Sequence, residues 1–187
     1  MSSQYFRASV GLIISDHIGR VLAVERYRQP GQWQLPQGGM RVGEEPFDAA
    51  LREMYEELGL KPKHVAYLDE HPEWLAYELP EEYRSKKTGR GQVQRWLVFR
   101  LVAAESKIRL DRGQNHRELR AWSWRDLSEL AGEVAAFRVG LYRRLARDLP
   151  ALLAQNEGEP ARDDRTVARG ASRVAPPAGP IAEGGMT

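Results

Sequence analysis

Residues 38–60 read GGMRVGEEPFDAALREMYEELGL. The second half of this stretch has the marks of a short amphipathic helix. Glu44 or Glu45 stands where a cap is needed, and Pro46 fits the first turn, where no backbone N–H is required of it. Gly59 fits the left-handed position that ends a helix. At about 100° per residue, Phe47, Ala50, Leu51, Met54 and Leu58 share one face and are expected to pack on a core. Glu53, Glu56 and Glu57 gather on the neighbouring face at i, i+3 and i+4. Like charges at that spacing cost about 0.2–0.5 kcal/mol per pair in an isolated helix. A cation among them reverses the sign of that cost. Hard divalent ions such as Mg²⁺ take oxygen ligands, commonly a few carboxylates with water and substrate phosphate. Taken alone, three glutamates on a helix are more simply a solvated acidic face, so their surroundings must decide.

Composition removes several alternatives. At 187 residues the chain suits one domain with a substantial core. Its 42% hydrophobic content is that of a soluble globular protein. No apolar run is long enough to span a bilayer, and MSSQYFR (1–7) lacks the apolar centre of a signal peptide. A cytoplasmic location without membrane partners is the resulting expectation. The absence of cysteine excludes disulfides, thiolate metal sites and cysteine nucleophiles. A net charge of +2 means that attraction for nucleic acid must come from local clusters.

Outward from the helix, SVGLIIS (9–15) and residues 20–27 read as two strands joined by the turn DHIG (16–19), a hairpin whose second strand is buried on both faces. Trp33 to Pro36 is a short extended piece leading into the glycines. Residues 64–68 and 74–77 read as strands, 79–91 as a polar loop, and VQRWLVFRLVA (93–103) as the strongest strand of the chain. Another short strand covers 119–124, a single helical turn 126–130, and a terminal helix 133–149, with Val134, Phe137, Leu141, Leu145 and Leu149 at core spacing. The expected domain therefore spans 1–150. From 151, and clearly from Gln155, a tail rich in Ala, Gly, Pro and Arg cannot bury enough apolar surface to offset its ordering entropy, so disorder is expected there. Strands around one helix, closed by a second, indicate an α+β sandwich.

The charged and glycine positions in 38–60 fall into one pattern: Gly38, five residues, Glu44, seven residues, Arg52-Glu53, Met54, one residue, Glu56-Glu57, one residue, Gly59-Leu60. This resembles the complete Nudix box, every defined position matched, and the chain is identified as a member of the Nudix hydrolases. The resemblance implies a mixed β-sheet between helices (α/β/α), with the box as loop–helix–loop. It implies a Mg²⁺ or Mn²⁺ cofactor bound by Glu53, Glu56, Glu57 and the Gly38 carbonyl. Glu44 and Arg52 are then expected to orient the site through a salt bridge. Such a site suits metal-assisted attack of water on a phosphoanhydride, and Gly38-Gly39 lets backbone approach phosphate closely.

Outside the box, FRASVG (6–11), WQLPQGG (33–39), WLAYELP (74–80), GQVQRW (91–96) and RELRAWSW (117–124) are similar to two related groups. These are the bacterial RNA pyrophosphohydrolases and the plant-type diadenosine tetraphosphate hydrolases. That likeness implies that Glu118 contributes to the metal site or acts as base. It also implies that Arg7, Arg26, Gln37, Gly39, Gln92, Gln94 and Arg95 touch phosphates or the first bases. Two departures stand out. Ala8-Ser9 replaces the usual Pro-Asn, and Val93 stands where the bacterial enzymes carry Lys, leaving phosphate contact to Arg95 or to the basic loop Arg84, Lys86, Lys87 and Arg90.

Among the aromatics, Trp96, Trp122 and Phe137 are expected in the core, and Tyr77 is the stacking candidate for a base. His64, His71 and His116 lack metal-ligand spacing and read as surface residues, and His17 falls in the hairpin turn. The expected reaction releases pyrophosphate or phosphate from tri- or diphosphorylated RNA 5′ ends, leaving a 5′-monophosphate. Dinucleoside polyphosphates are the alternative substrate. A non-catalytic nucleotide-binding module is the rival from another class, but it has no need for the five charged positions retained here. Protein partners are not indicated.

Overall fold

The computed structural model describes residues 5–110 and 118–154. Eight strands, β1 (Phe6–Ser15), β2 (Val21–Arg26), β3 (Trp33–Gln34), β4 (Gln37–Gly39), β5 (Val65–Glu70), β6 (Leu75–Glu78), β7 (Gly91–Leu101) and β8 (Leu119–Arg125), form one mixed sheet. Three helices, α1 (Pro46–Leu58), α2 (Leu127–Glu133) and α3 (Val139–Ala154), cover its two faces. The expected α+β layering is observed.

The centre of the sheet is the parallel pair β1–β7, in register from Phe6↔Gly91 to Ser15↔Arg100. β1 also pairs with β2 in the expected hairpin and with β4, where Ser9, Val10 and Gly11 oppose Gly39, Gly38 and Gln37. Side-chain alternation sends Val10, Leu12, Ile14, Leu97 and Phe99 to the face covered by α1, and Ile13, Trp96 and Val98 to the face covered by α2 and α3. The glycine strand, paired with β1, therefore lies in the sheet beneath the carboxylate helix.

α1 begins with Pro46 at its first position and ends on Gly59, whose φ of 66° is the left-handed conformation expected of it. Ala50, Met54 and Leu58 are buried as expected, while Phe47 and Leu51 pack at the edge of the same core. Capping differs. Glu45 occupies the cap position without a side-chain bond, and the neighbouring Glu44 is engaged by Arg52 instead of the helix end.

The C-terminal helical region also differs from expectation. Asp126 caps α2 by accepting from the N–H groups of Ser128 and Glu129, and α2 runs two turns rather than one. The expected 133–149 helix is interrupted: Val134 is extended, a 3-10 turn covers Ala136–Arg138, and α3 starts only at Val139. Both pieces bury their apolar side chains in one core, so the spacing of those residues passes unbroken across the interruption. α3 then continues through Pro150, whose missing N–H forgoes one helical bond, because Leu149 and Leu152 on either side are buried. Residues 151–154, placed by expectation in the disordered tail, instead form the end of α3, and the rest of that tail, from 155 onward, lies outside the described residues. No described helix is long and apolar enough to cross a membrane.

Candidate active site

Arg52 organises the site. Its Nε donates to Glu44 Oε1 at 2.7 Å and its Nη2 to Glu44 Oε2 at 2.8 Å, a two-pronged pairing that locks the loop before α1 onto the helix. Nη2 also donates to the Gly39 carbonyl at 2.8 Å, and Nη1 to Glu53 Oε1 at 2.6 Å and Glu56 Oε2 at 3.3 Å. One guanidinium thus joins the glycine strand, the loop and two of the three helix carboxylates. Its bonds to Glu44 hold it well above the ordinary arginine range and hold Glu44 below the ordinary carboxylate range. The orienting roles expected of Glu44 and Arg52 match this geometry.

Gly38 and Gly39 face opposite sides of the strand. A Cβ on Gly38 would stand 1.7 Å from the Glu53 carboxyl carbon, and one on Gly39 would stand 1.9 Å from Arg7 Nη2. The glycines are there for close approach: one to the carboxylate helix, one to an arginine. Arg7 makes no ion pair with any described residue, so its charge is available over Gly39.

The carboxylates themselves are held under electrostatic tension. Burial pushes Glu53 above the ordinary carboxylate range against the opposing pull of Arg52. Burial, and then the charge of Glu53, push Glu57 up to about 8, although the Gln37 N–H donates to its Oε2 at 3.2 Å. Arg26 and Glu118 act on the Glu57 carboxyl with opposite sign. Arg26 Nη2 pairs with Glu118 Oε2 at 3.3 Å, and both are exposed. Glu56 is shared between Arg52 and Arg41, whose Nη2 lies 3.4 Å from Oε1.

These residues fit a hard divalent cation. The donors are all oxygens, and two carboxylates, the buried Glu53 and the half-buried Glu57, are pushed toward protonation by their setting, a cost that a cation removes. Glu53, Glu56 and Glu57, with the Gly38 carbonyl and Glu118 at the margin, are the groups that would hold it. When bound, such an ion polarises a phosphoryl oxygen and lowers the pKa of water. Among the described residues no three acidic or imidazole side chains form a ready-made cage. Glu53 and Glu56 share one guanidinium, and Glu57 turns to a backbone N–H.

On the sheet face away from α1, Gln92, Gln94 and Gln37 form a polar chain. Ser9 Oγ donates to Gln92 at 3.3 Å, Gln94 Nε2 lies 3.3 Å from the same Gln92 oxygen, and the Gln94 and Gln37 amides meet at 2.8 Å. In the orientation that satisfies both groups, the Gln37 oxygen accepts from Arg138 Nη2 at 3.0 Å. Gln94 is fully buried, so within this chain it positions Gln37 and does not reach substrate.

Gln94 was expected at the substrate, and three further expectations need correction. Arg95 points to the opposite face from its neighbour Gln94, where it is buried and paired with Glu70 and the Pro72 carbonyl, away from any open phosphate position. Tyr77 is only 6% exposed: its ring packs on Phe137 under Arg138, and its hydroxyl accepts from Arg138 Nη2 at 3.2 Å. It is a core residue and not an open stacking platform. His71 is fully buried, its Nε2 3.1 Å from Asp148 Oδ2, so it joins the β5–β6 connection to α3. In the basic loop, Arg84 and Arg90 both pair with Glu78, which leaves Lys86 and Lys87 without an ion pair to any described residue. Arg138 was invisible to sequence reasoning because its place depends on the interruption before α3. His116 and Arg117 lie outside the described residues.

Comparison with known proteins agrees with this architecture. The NUDIX domain matches residues 5–145. The chain is 38% identical over 151 residues to the RNA pyrophosphohydrolase of Shewanella woodyi, covering 79% of this chain and 86% of that protein. It is 40% identical over 151 residues to the protein of the same name from Thioalkalivibrio sulfidiphilus, covering 79% and 86%. Among solved structures, the E. coli dihydroneopterin triphosphate pyrophosphohydrolase superposes with a TM-score of 0.60 at 18% identity, covering 78% of this chain and 99% of that one. A C. elegans Ap4A hydrolase complex superposes with a TM-score of 0.56 at 22% identity, covering 78% and 98%. At these identities the structural likeness speaks for the fold alone. The matched segment contains the glycine strand, the arginine hub and the carboxylate helix together, and the chain belongs to the Nudix family.

Proposed function

We propose that this protein is a Mg²⁺- or Mn²⁺-dependent pyrophosphohydrolase that trims 5′-tri- or diphosphorylated RNA to a 5′-monophosphate. The observation that carries the reading is the extent of the match. Relatives named RNA pyrophosphohydrolase align over 86% of their own length, and the NUDIX match over residues 5–145 takes in the carboxylate helix together with Arg7 and Arg26. In this reading Arg7, without an ion pair to any described residue, and the exposed Arg26 bind the 5′ phosphates or first base. Arg52 fixes Glu53 and Glu56, and the Gln37 N–H fixes Glu57. Glu57 or Glu118 takes the proton of the attacking water.

Val93 favours a second reading, hydrolysis of dinucleoside polyphosphates. With Val93 uncharged and Arg95 engaged by Glu70, the strand GQVQRW supplies no cation to an RNA phosphate. Turnover of a short 5′-triphosphate RNA and of diadenosine tetraphosphate, side by side in Mg²⁺ and in Mn²⁺, separates the two. RNA cleavage is expected to win in kcat/KM and to weaken steeply with salt, since phosphate contacts release counterions. A clear win for the dinucleotide overturns the RNA assignment.

A further inference from the structure

Glu56 is held differently from the other carboxylates of α1. Its Oε2 faces Arg52, which is committed to Glu44, the Gly39 carbonyl and Glu53 as well. Its Oε1 faces Arg41, and that 3.4 Å contact is the one side-chain bond Arg41 makes among the described residues. The Arg41 side chain is 67% exposed. Its backbone, in contrast, is fixed. The Arg41 N–H donates to Glu44 Oε2 at 2.8 Å, the Glu44 N–H donates back to the Arg41 carbonyl at 3.1 Å, and Gly43 turns the loop at a φ of 77°. Arg41 is therefore a loosely held cation on a rigid mount at the lip of the carboxylate helix.

A divalent cation and a guanidinium compete for one carboxylate oxygen, and an exposed single contact such as Arg41–Glu56 is the weak competitor. Once displaced, the guanidinium stays tethered by its loop at the end of the glycine strand, beside the carboxylates of α1, with all its donors open. The ligand arriving at that place carries adjacent phosphates, and arginine is the residue best shaped to bind them. We propose that Arg41 is a further substrate-binding residue, parked on Glu56 in the free enzyme and transferred to a phosphate of the bound polyphosphate. The inference rests on the reading of the site as one for a cation and a phosphoanhydride, but not on which nucleotide bears the phosphates.

The test uses the full chain with Arg41→Ala and, as a second neutral variant, Arg41→Gln. Mn²⁺ affinity is measured by the paramagnetic signal of free ion. Binding of methylenediphosphonate, a non-cleavable diphosphate, is then measured by calorimetry at saturating Mn²⁺. Both variants are expected to bind Mn²⁺ roughly two- to fivefold more tightly, because a competing charge is gone. They are expected to bind the diphosphonate about tenfold more weakly, as loss of a charge-assisted bond predicts, with Arg41→Lys partly restoring it. Unchanged diphosphonate affinity overturns the proposal, even if Mn²⁺ binds more tightly, since Arg41 would then only compete for Glu56. Weaker Mn²⁺ binding overturns it too. Neither readout requires turnover, so failure of the RNA assignment shows itself separately.

Discussion

Glu57 carries the most testable charge in the molecule. Its folded pKa of about 8 lies above the ordinary 4.5, chiefly through burial and then through Glu53. The folded protein therefore holds the proton more tightly than the unfolded chain does. The stabilisation from that proton is complete below about pH 4.5 and is lost as pH rises through about 8. In chelator, Tm is predicted to fall over that window. Added Mn²⁺ binds the deprotonated form, so the Tm increase it causes is predicted to grow with pH. A Tm increase that is flat or shrinks across the same range would show that Glu57 does not meet the ion. Arg52 makes a second claim at this scale. Arg52→Lys keeps the charge but loses the fork that reaches Glu44, Gly39, Glu53 and Glu56 at once. Turnover is expected to drop by about 10–100-fold, the range seen when groups orienting metal ligands are removed. Steady-state kinetics at saturating Mg²⁺ measures it.

The glycine strand is short and depends on α3 for its position. Leu35, two residues before β4, is fully buried, and its N–H donates to the Tyr142 hydroxyl of α3 at 2.8 Å. Tyr142 itself packs edge-on against Trp96 of β7, so one side chain joins helix, central sheet and the approach to the glycines. Tyr142→Phe leaves a buried N–H unpaired and is predicted to cost about 1–3 kcal/mol of stability, read from urea unfolding. Activity is predicted to fall with it, because Gln37 and Gly38 are carried by the same segment. Loss of stability beyond that range would mean the aromatic packing is disturbed as well. The Gln92–Gln94–Gln37 chain supports β4 from the same face and ends on Arg138 at the foot of α3.

For the whole molecule, the carboxylate helix was legible in the sequence because its signals are local. Pro46, Gly59 and the i, i+3, i+4 glutamates act within one element, whatever surrounds it. The Arg52–Glu44 pairing followed from the likeness to the Nudix box rather than from any local signal, and the structure has it. What depended on long-range placement was not. Arg95 and Gln94 are neighbours in a motif, yet strand alternation sends one to Glu70 and the other to Gln37, and only the sheet decides which side holds which partner. Tyr77 and His71 carry polar atoms that suggest exposure, but both find buried partners on the C-terminal helical segment, Arg138 and Asp148. The interruption before α3 escaped because two helical pieces sharing one core keep a single apolar rhythm. The central claim, that the clustered glutamates of α1 run a metal-dependent hydrolysis of a 5′ polyphosphate, is tested most directly by the turnover of Glu56→Gln and Glu57→Gln on 5′-triphosphate RNA. The account predicts a kcat loss well beyond about tenfold in each, with the fold intact and, in chelator at high pH, a raised Tm for Glu57→Gln. Near-normal turnover in either variant would contradict it.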